Sequence, residues 1–122
     1  MPAPRLLLAQ GAALIALVTV HRIALHYFLY WRIFWFDNVA HLLGGISVGL
    51  FVAWVSTTRG FPIYIPLCTL GAFAIGVEWE IFGYVERFPI SPFMSYPLDT
   101  AKDLLMDAMG GALAAILARR LI

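Results

Sequence analysis

Charge is what this chain most lacks. Eight basic and seven acidic residues make up 12% of 122, against 62% hydrophobic residues and a mean hydropathy of +0.88. A soluble domain of this length has too little interior to hide so much apolar surface, so lipid is the expected solvent for most of it. The formal net charge of +1 gives no electrostatic reason to expect a nucleic-acid partner. The single cysteine, Cys68, lies in an apolar run and excludes an internal disulfide framework. No serine–histidine or cysteine–histidine pair falls at a common depth, which leaves nucleophilic hydrolysis without support. There is room for one integral membrane domain, residues 1–122, so a soluble ligand would be held at helix ends or in loops.

What is present is a set of four apolar stretches, 6–29, 39–57, 63–84 and 101–121, each about 20 residues long, the length a spanning helix needs. They predict an all-α polytopic membrane protein, a four-transmembrane-helix bundle. Trp31, Trp35 and Phe36 form an interfacial aromatic segment beside Arg32 and Asp37. Arg59-Gly60-Phe61-Pro62 reads as a turn, and 86–98, with Pro89, Pro92 and Pro97, as an irregular cap. The first stretch reads as a retained helix in preference to a cleaved signal: His21-Arg22 stands where a small-residue cleavage site would be expected, and apolar residues continue to Leu29. Arg5, Arg59, Arg119 and Arg120 gather at one end of the bundle, and Arg32, Arg87 and Lys102, with Arg22 nearby, at the other. The positive-inside rule then puts both termini in the cytoplasm. Gly45 and Gly49, and Gly110, Ala114 and Ala118, recur at four-residue spacing, which lets helix backbones approach closely in lipid.

Against this background the acids stand out. Asp103 and Asp107 lie where a spanning helix should carry none, and ionisable groups at mid-bilayer cost on the order of 3 kcal/mol each and mark functional sites. Depths follow from the helical rise, taking Leu6, Thr57, Ile63 and Arg119 as the cytoplasmic ends. Arg22, His41, Asp103 and Glu80 fall at about 24–25 Å, Glu78 at about 22 Å, Asp107 at about 18 Å, and Asp37 and Asp99 near 30 Å. Polar residues from all four helices are therefore expected in one layer toward the outer face. Asp37 and His41 share a helix face, and Asp99, Asp103 and Asp107 form a stripe of like charges that must be neutralised by protons, arginines or a bound cation. Glu78 and Glu80 are two apart, so only one should face the stripe; the reading leans to Glu78 and keeps both.

One histidine among carboxylates is an oxygen-rich ligand set that suits Mg²⁺ or Mn²⁺, with Zn²⁺ or Fe²⁺ admitted by the imidazole. The metal ligands would come from Asp37, His41, Glu78, Asp99, Asp103 and Asp107, with Glu78, Glu80, Asp103 and Asp107 as catalytic groups. Arg22 is the candidate for a substrate phosphate, although an arginine near a helix end also snorkels. The bland alternative is ion pairing, but Arg22, Arg32, Arg87 and Lys102 face seven acids: Asp37, Glu78, Glu80, Glu86, Asp99, Asp103 and Asp107. Asp99 before the fourth stretch also fits a helix N-cap. His21 and His26 have no partner at useful spacing and read as interface residues.

Asp37-x-x-x-His41 with Gly44-Gly45, then Glu78-Trp79-Glu80, then Asp99-Thr100-x-x-Asp103-x-x-x-Asp107-x-x-Gly110 resemble the bacterial and archaeal inner-membrane family typified by YjdF. More distantly the same order resembles VanZ-like proteins, linked to glycopeptide resistance. The resemblance covers Asp37 to about Ala114 and implies a multi-pass protein of the prokaryotic inner membrane with a site in these residues. Such proteins carry further N-terminal helices, so this chain reads as a minimal version or one completed by a homo-oligomer or another membrane partner. The family has no settled activity. Three expectations follow: a metal-dependent hydrolase or transferase acting on a lipid or lipid-linked phosphate; a non-enzymatic ligand-binding or resistance protein; or a proton or cation pathway. The last is disfavoured by the lack of acids at the cytoplasmic end.

Overall fold

A computed structural model describes residues 3–122. The chain forms helices α1 (Pro4–His26), α2 (Leu29–Arg32), α3 (Phe36–Thr58), α4 (Ile65–Val85) and α5 (Tyr96–Leu121), with no strand among the described residues. Three of them, α1, α3 and α4, are long and apolar enough to cross a membrane, one fewer than the four stretches suggested. The exception is α5, the longest at 26 residues, whose charged residues keep its hydropathy low. Its acids are nonetheless turned inward: Asp103 and Asp107 are only 4% and 5% exposed.

Helix boundaries differ from the expected ones in ways that matter for the site. The first stretch does not run to residue 29. It stops at His26, Phe28 turns into the left-handed region at φ 57°, and α2 follows as a single turn. The third helix starts at Phe36 and so places Asp37 in its first turn, where the helix dipole favours an anion. Its fifth-element counterpart, α5, begins at Tyr96, with Pro97 in the opening positions that need no N–H donor. Pro97 therefore belongs to the helix, not to the irregular cap. The N-cap is Ser95, and Asp99 sits in the first turn instead of capping it.

The bundle is organised around α5, which packs on α3 and α4, while α1 packs on α3 and its backbone stays more than 8 Å, Cα to Cα, from that of α4. Small residues make this possible. A Cβ added at Gly45 would run into the backbone of Asp107 and Gly110, and one at Gly49 would meet Gly111 and Ala114. Gly111 is equally tight against Cys68, Thr69 and Ala72 of α4. Dispersion between closely apposed backbones is the main source of helix association in lipid, so these contacts hold α5 in the groove between its neighbours. The apolar core at the terminal end comprises Leu6, Leu50, Ala53, Ile63, Cys68, Ala114, Ala115 and Ala118. There Arg119 donates from Nε and Nη2 to the carbonyl of Ile63, at 3.1 and 2.9 Å, and ties α5 to the α3–α4 turn.

Candidate metal centre

At the opposite end, the α3–α5 seam changes character. Asp37 and His41 lie one turn apart on α3 and face Asp99, Asp103 and Asp107, one turn apart on α5. His41 is the hub. Its Nδ1 is 2.9 Å from Asp107 Oδ1, and since a carboxylate can only accept, the imidazole is the donor. The other ring nitrogen, Nε2, then points at Asp103 Oδ2 (3.4 Å) and Asp37 Oδ1 (3.5 Å). With Nδ1 protonated, a neutral imidazole brings an Nε2 lone pair against two carboxylate oxygens. Three acceptors converging in this way need a cation or a proton between them. Asp37, His41 and Asp103 each offer one ligand atom, all within 4.8 Å of one another, a spacing that could hold a metal ion.

Lys102, the chain's one lysine, occupies the other side of the same carboxylates. Its Nζ lies 3.3 Å from Asp37 Oδ2, 3.3 Å from Asp103 Oδ1 and 3.5 Å from Asp99 Oδ1. Asp37 and Asp103 thus each turn one oxygen to His41 and the other to Lys102. The lysine makes a good hydrogen bond to Asp37, whereas Asp103 Oδ1 is near it but lacks a hydrogen-bond partner of proper geometry. The buried side-chain atoms without a hydrogen-bond partner, among the described residues, are Asn38 Oδ1, Thr100 Oγ1, Asp103 Oδ1 and Asp107 Oδ2. All belong to the first turns of α3 and the N-terminal half of α5, the same layer. Buried polar atoms are rarely left unpaired, so their concentration here is where a ligand, ion or water would be accommodated.

The expected residues divide clearly. Asp37, His41, Asp99, Asp103 and Asp107 are brought together, and Glu80 joins them from α4, half-buried, with its carboxyl turned toward Asp103 and near His41. Glu78 does not join. It is exposed on the outer surface of α4, lining a shallow groove with Ile75, Trp79 and Phe82, so the preference for Glu78 over Glu80 is reversed. The reason is packing: α4 presents Cys68, Ala72 and Gly76 to α5, and one more four-residue step along that stripe is Glu80. Gly76 is part of the site, because a Cβ there would collide with the Asp107 carboxylate. Arg22 is also outside the cluster, exposed on α1 and in no ion pair among the described residues.

Of the four cations weighed against the acids, Lys102 alone pairs with them. Arg32 reaches the carbonyl of Tyr27, and Arg87 is exposed. His21 is not partnerless: its Nδ1 hydrogen-bonds the Tyr30 hydroxyl at 2.8 Å, and Tyr30 stacks edge-on against Phe36 at the start of α3. Burial, and then the Asp37 carboxylate, push the Tyr30 phenol up to about 12, so it stays neutral beside the acids. Asn38, Thr100 and Gly76 were given no role at the site from sequence, Thr100 entering only as part of the Asp99 motif. The first two sit next to Asp37 and Asp99, and the third stands one turn before Glu80, so the motif spacing held the signal.

No family model, curated protein or solved structure matches this chain.

Proposed function

We propose that the chain is an inner-membrane protein of the YjdF-like, more distantly VanZ-like, type, with four spanning helices and both termini in the cytoplasm. In this reading α5 is the fourth span, its acids shielded by α3 and α4, and the acidic layer opens toward the outer leaflet. The layer binds a divalent cation, Mg²⁺ or Mn²⁺ by preference given the oxygen-rich donors, with Zn²⁺ or Fe²⁺ admitted by His41. The observation that carries this reading is the convergence of Asp37, His41 and Asp103 donor atoms within 4.8 Å. Asp107 then acts through His41: a ligating imidazole commonly donates its other N–H to a carboxylate, which fixes its tautomer and orientation. Asp107 is accordingly a positioning residue, and Glu80 takes the place at the edge of the layer that sequence gave to Glu78.

A cation bound there would lower the charge on a lipid or lipid-linked phosphate and activate water for hydrolysis or transfer. Lys102, already beside Asp37 and Asp103, would take the phosphate contact otherwise sought from Arg22. The reading is tested by following phosphate release from vesicles containing phosphatidic acid or a polyprenyl diphosphate, with Mg²⁺ or Mn²⁺. Wild-type protein should turn over and Asp103→Asn should not, at equal expression; equal rates for the two would sink it.

Lys102 itself favours a second reading. An ammonium within 3.5 Å of three carboxylates neutralises part of the layer without any metal. The same residues would then form a ligand-binding or purely structural centre with His41 as an imidazolium. In that case Lys102→Met destabilises the fold, and added divalent metal leaves the melting temperature of the wild type unchanged.

A further inference from the structure

We propose that copies of this chain associate head to tail in the membrane, Glu78 on α4 of one copy pairing with Arg22 on α1 of the next. Both residues are exposed on the outer surface of the bundle, and neither takes part in an ion pair within the chain among the described residues. Their depths match. Pro4 and Arg5 line one depression with Thr57 and Leu121, and the Ile63 carbonyl accepts from Arg119, two residues before Leu121, so the starts of α1 and α4 lie within about 3 Å of a common level. From that level Arg22 lies about 24 Å and Glu78 about 22 Å along parallel helices. They do not pair within one chain: no Cα of α1 comes within 8 Å of one of α4, and the two charges form no ion pair among the described residues.

Surroundings and chain length make the acid the more demanding partner. Glu78 stands in a groove of Ile75, Trp79 and Phe82, and α4 continues to Val85 before it ends. Its short side chain cannot climb two turns to the interface, whereas an arginine can snorkel. An ionised carboxylate facing lipid is strongly disfavoured, and a cation at the same depth relieves it. Because the two patches differ, the contact is heterologous, and its repetition gives a ring where the rotation closes and an open row where it does not. A cationic helix of another protein is the competing occupant, and the experiment separates the two. The inference does not depend on metal binding at the acidic layer.

Leu25 and Phe82, both exposed, lie about one turn outward of Arg22 and Glu78 on their helices, so they report the contact while leaving the charges intact. In a Cys68→Ala background, Leu25→Cys and Phe82→Cys chains carrying different tags are co-expressed and oxidised in native membranes. The mixed disulfide should form, and neither variant should cross-link to itself. Glu78→Gln or Arg22→Gln should cut the mixed yield about threefold or more, the scale of an interhelical polar contact in lipid. Arg22→Glu combined with Glu78→Arg should restore it. Self-cross-linking of Phe82→Cys as efficient as the mixture, a mixed yield at background, or a yield indifferent to the charge changes would overturn the proposal.

Discussion

The two halves of the α3–α5 seam solve the same packing problem with opposite chemistry. At the terminal half, Gly49, Ala53, Gly111, Ala114 and Ala118 bring the helices together through small apolar surfaces, and nothing titratable lies between them. At the other half the same two helices meet through Asp37, His41, Lys102, Asp103 and Asp107, with buried polar atoms left over. Gly45 and Gly110 mark the border, where the α3 backbone rests on that of Asp107. The close approach is therefore what aims the acids: His41 reaches Asp107 because glycines a turn away let the backbones touch. A bundle needing only stability could have continued the small-residue stripe along the whole seam. That it does not is the main reason to read the acidic half as a site.

The comparison breaks most severely at its border. Gly45→Val would drive a side chain into backbone atoms of Asp107 and Gly110 that no rotamer change can move. It should cost about 3 kcal/mol or more, seen as a collapse of the thermal transition in detergent, and should also part His41 from Asp107. The neighbouring Gly44, with nothing within 4 Å of an added Cβ, is the control: Gly44→Ala should be close to neutral. Equal losses at the two positions would mean that the seam is not set by close approach.

Next in size is Asp107→Ala. As the group that orients His41, Asp107 should contribute about 10–100-fold to Mn²⁺ affinity, measured by titration calorimetry or paramagnetic resonance. Asp103→Asn should remove the site altogether. If the two variants behave alike, Asp107 is itself a ligand. Gly76→Ala sharpens the same distinction without altering charge. It pushes on the Asp107 carboxylate from α4 and should weaken Mn²⁺ binding by about 1 kcal/mol, or roughly fivefold, with little change in folding. An unchanged affinity would show that Asp107 can yield without cost.

The smallest effect lies outside the spans. The Tyr30 phenol is raised in the fold to about 12 from its usual value near 10. Its contribution to stability is therefore complete below about pH 10, where the unfolded phenol starts to ionise, and is lost as pH rises through the folded value. Tyr30→Phe should lose about 1 kcal/mol at neutral pH with the His21 hydrogen bond, and should decline less steeply than wild type above pH 10. Parallel pH profiles for the two proteins would contradict this.

Much of the layer was legible because helical arithmetic is reliable along long unbroken helices. Asp37 and His41 on one face, the three-aspartate stripe and the glycine–alanine packing rows all follow from spacing, and the structure sets them against one another. The choice between Glu78 and Glu80 did not follow, since two residues apart on a helix tells only that they diverge. The packing row Cys68–Ala72–Gly76 would have pointed to Glu80, but only once α5 was known to be its partner. The fourth span was counted by length, yet the charges that make α5 interesting are those that lower its hydropathy. Lys102 was counted as one cation among four, because nothing in sequence tells that Arg22, Arg32 and Arg87 point elsewhere. Pro97 suggested a loop, whereas proline in a first helical turn is harmless.

Whether Asp37, His41 and Asp103 form a ligand shell is decided by the metal content, by mass spectrometry, of detergent-purified wild-type protein beside Asp103→Asn. A single three-donor shell should hold about one divalent metal per chain in the wild type, and none should remain in the variant. Wild-type protein that retains no metal after loading with Mg²⁺, Mn²⁺ and Zn²⁺ would contradict it and leave Lys102 and a protonated His41 as the only cations of the layer.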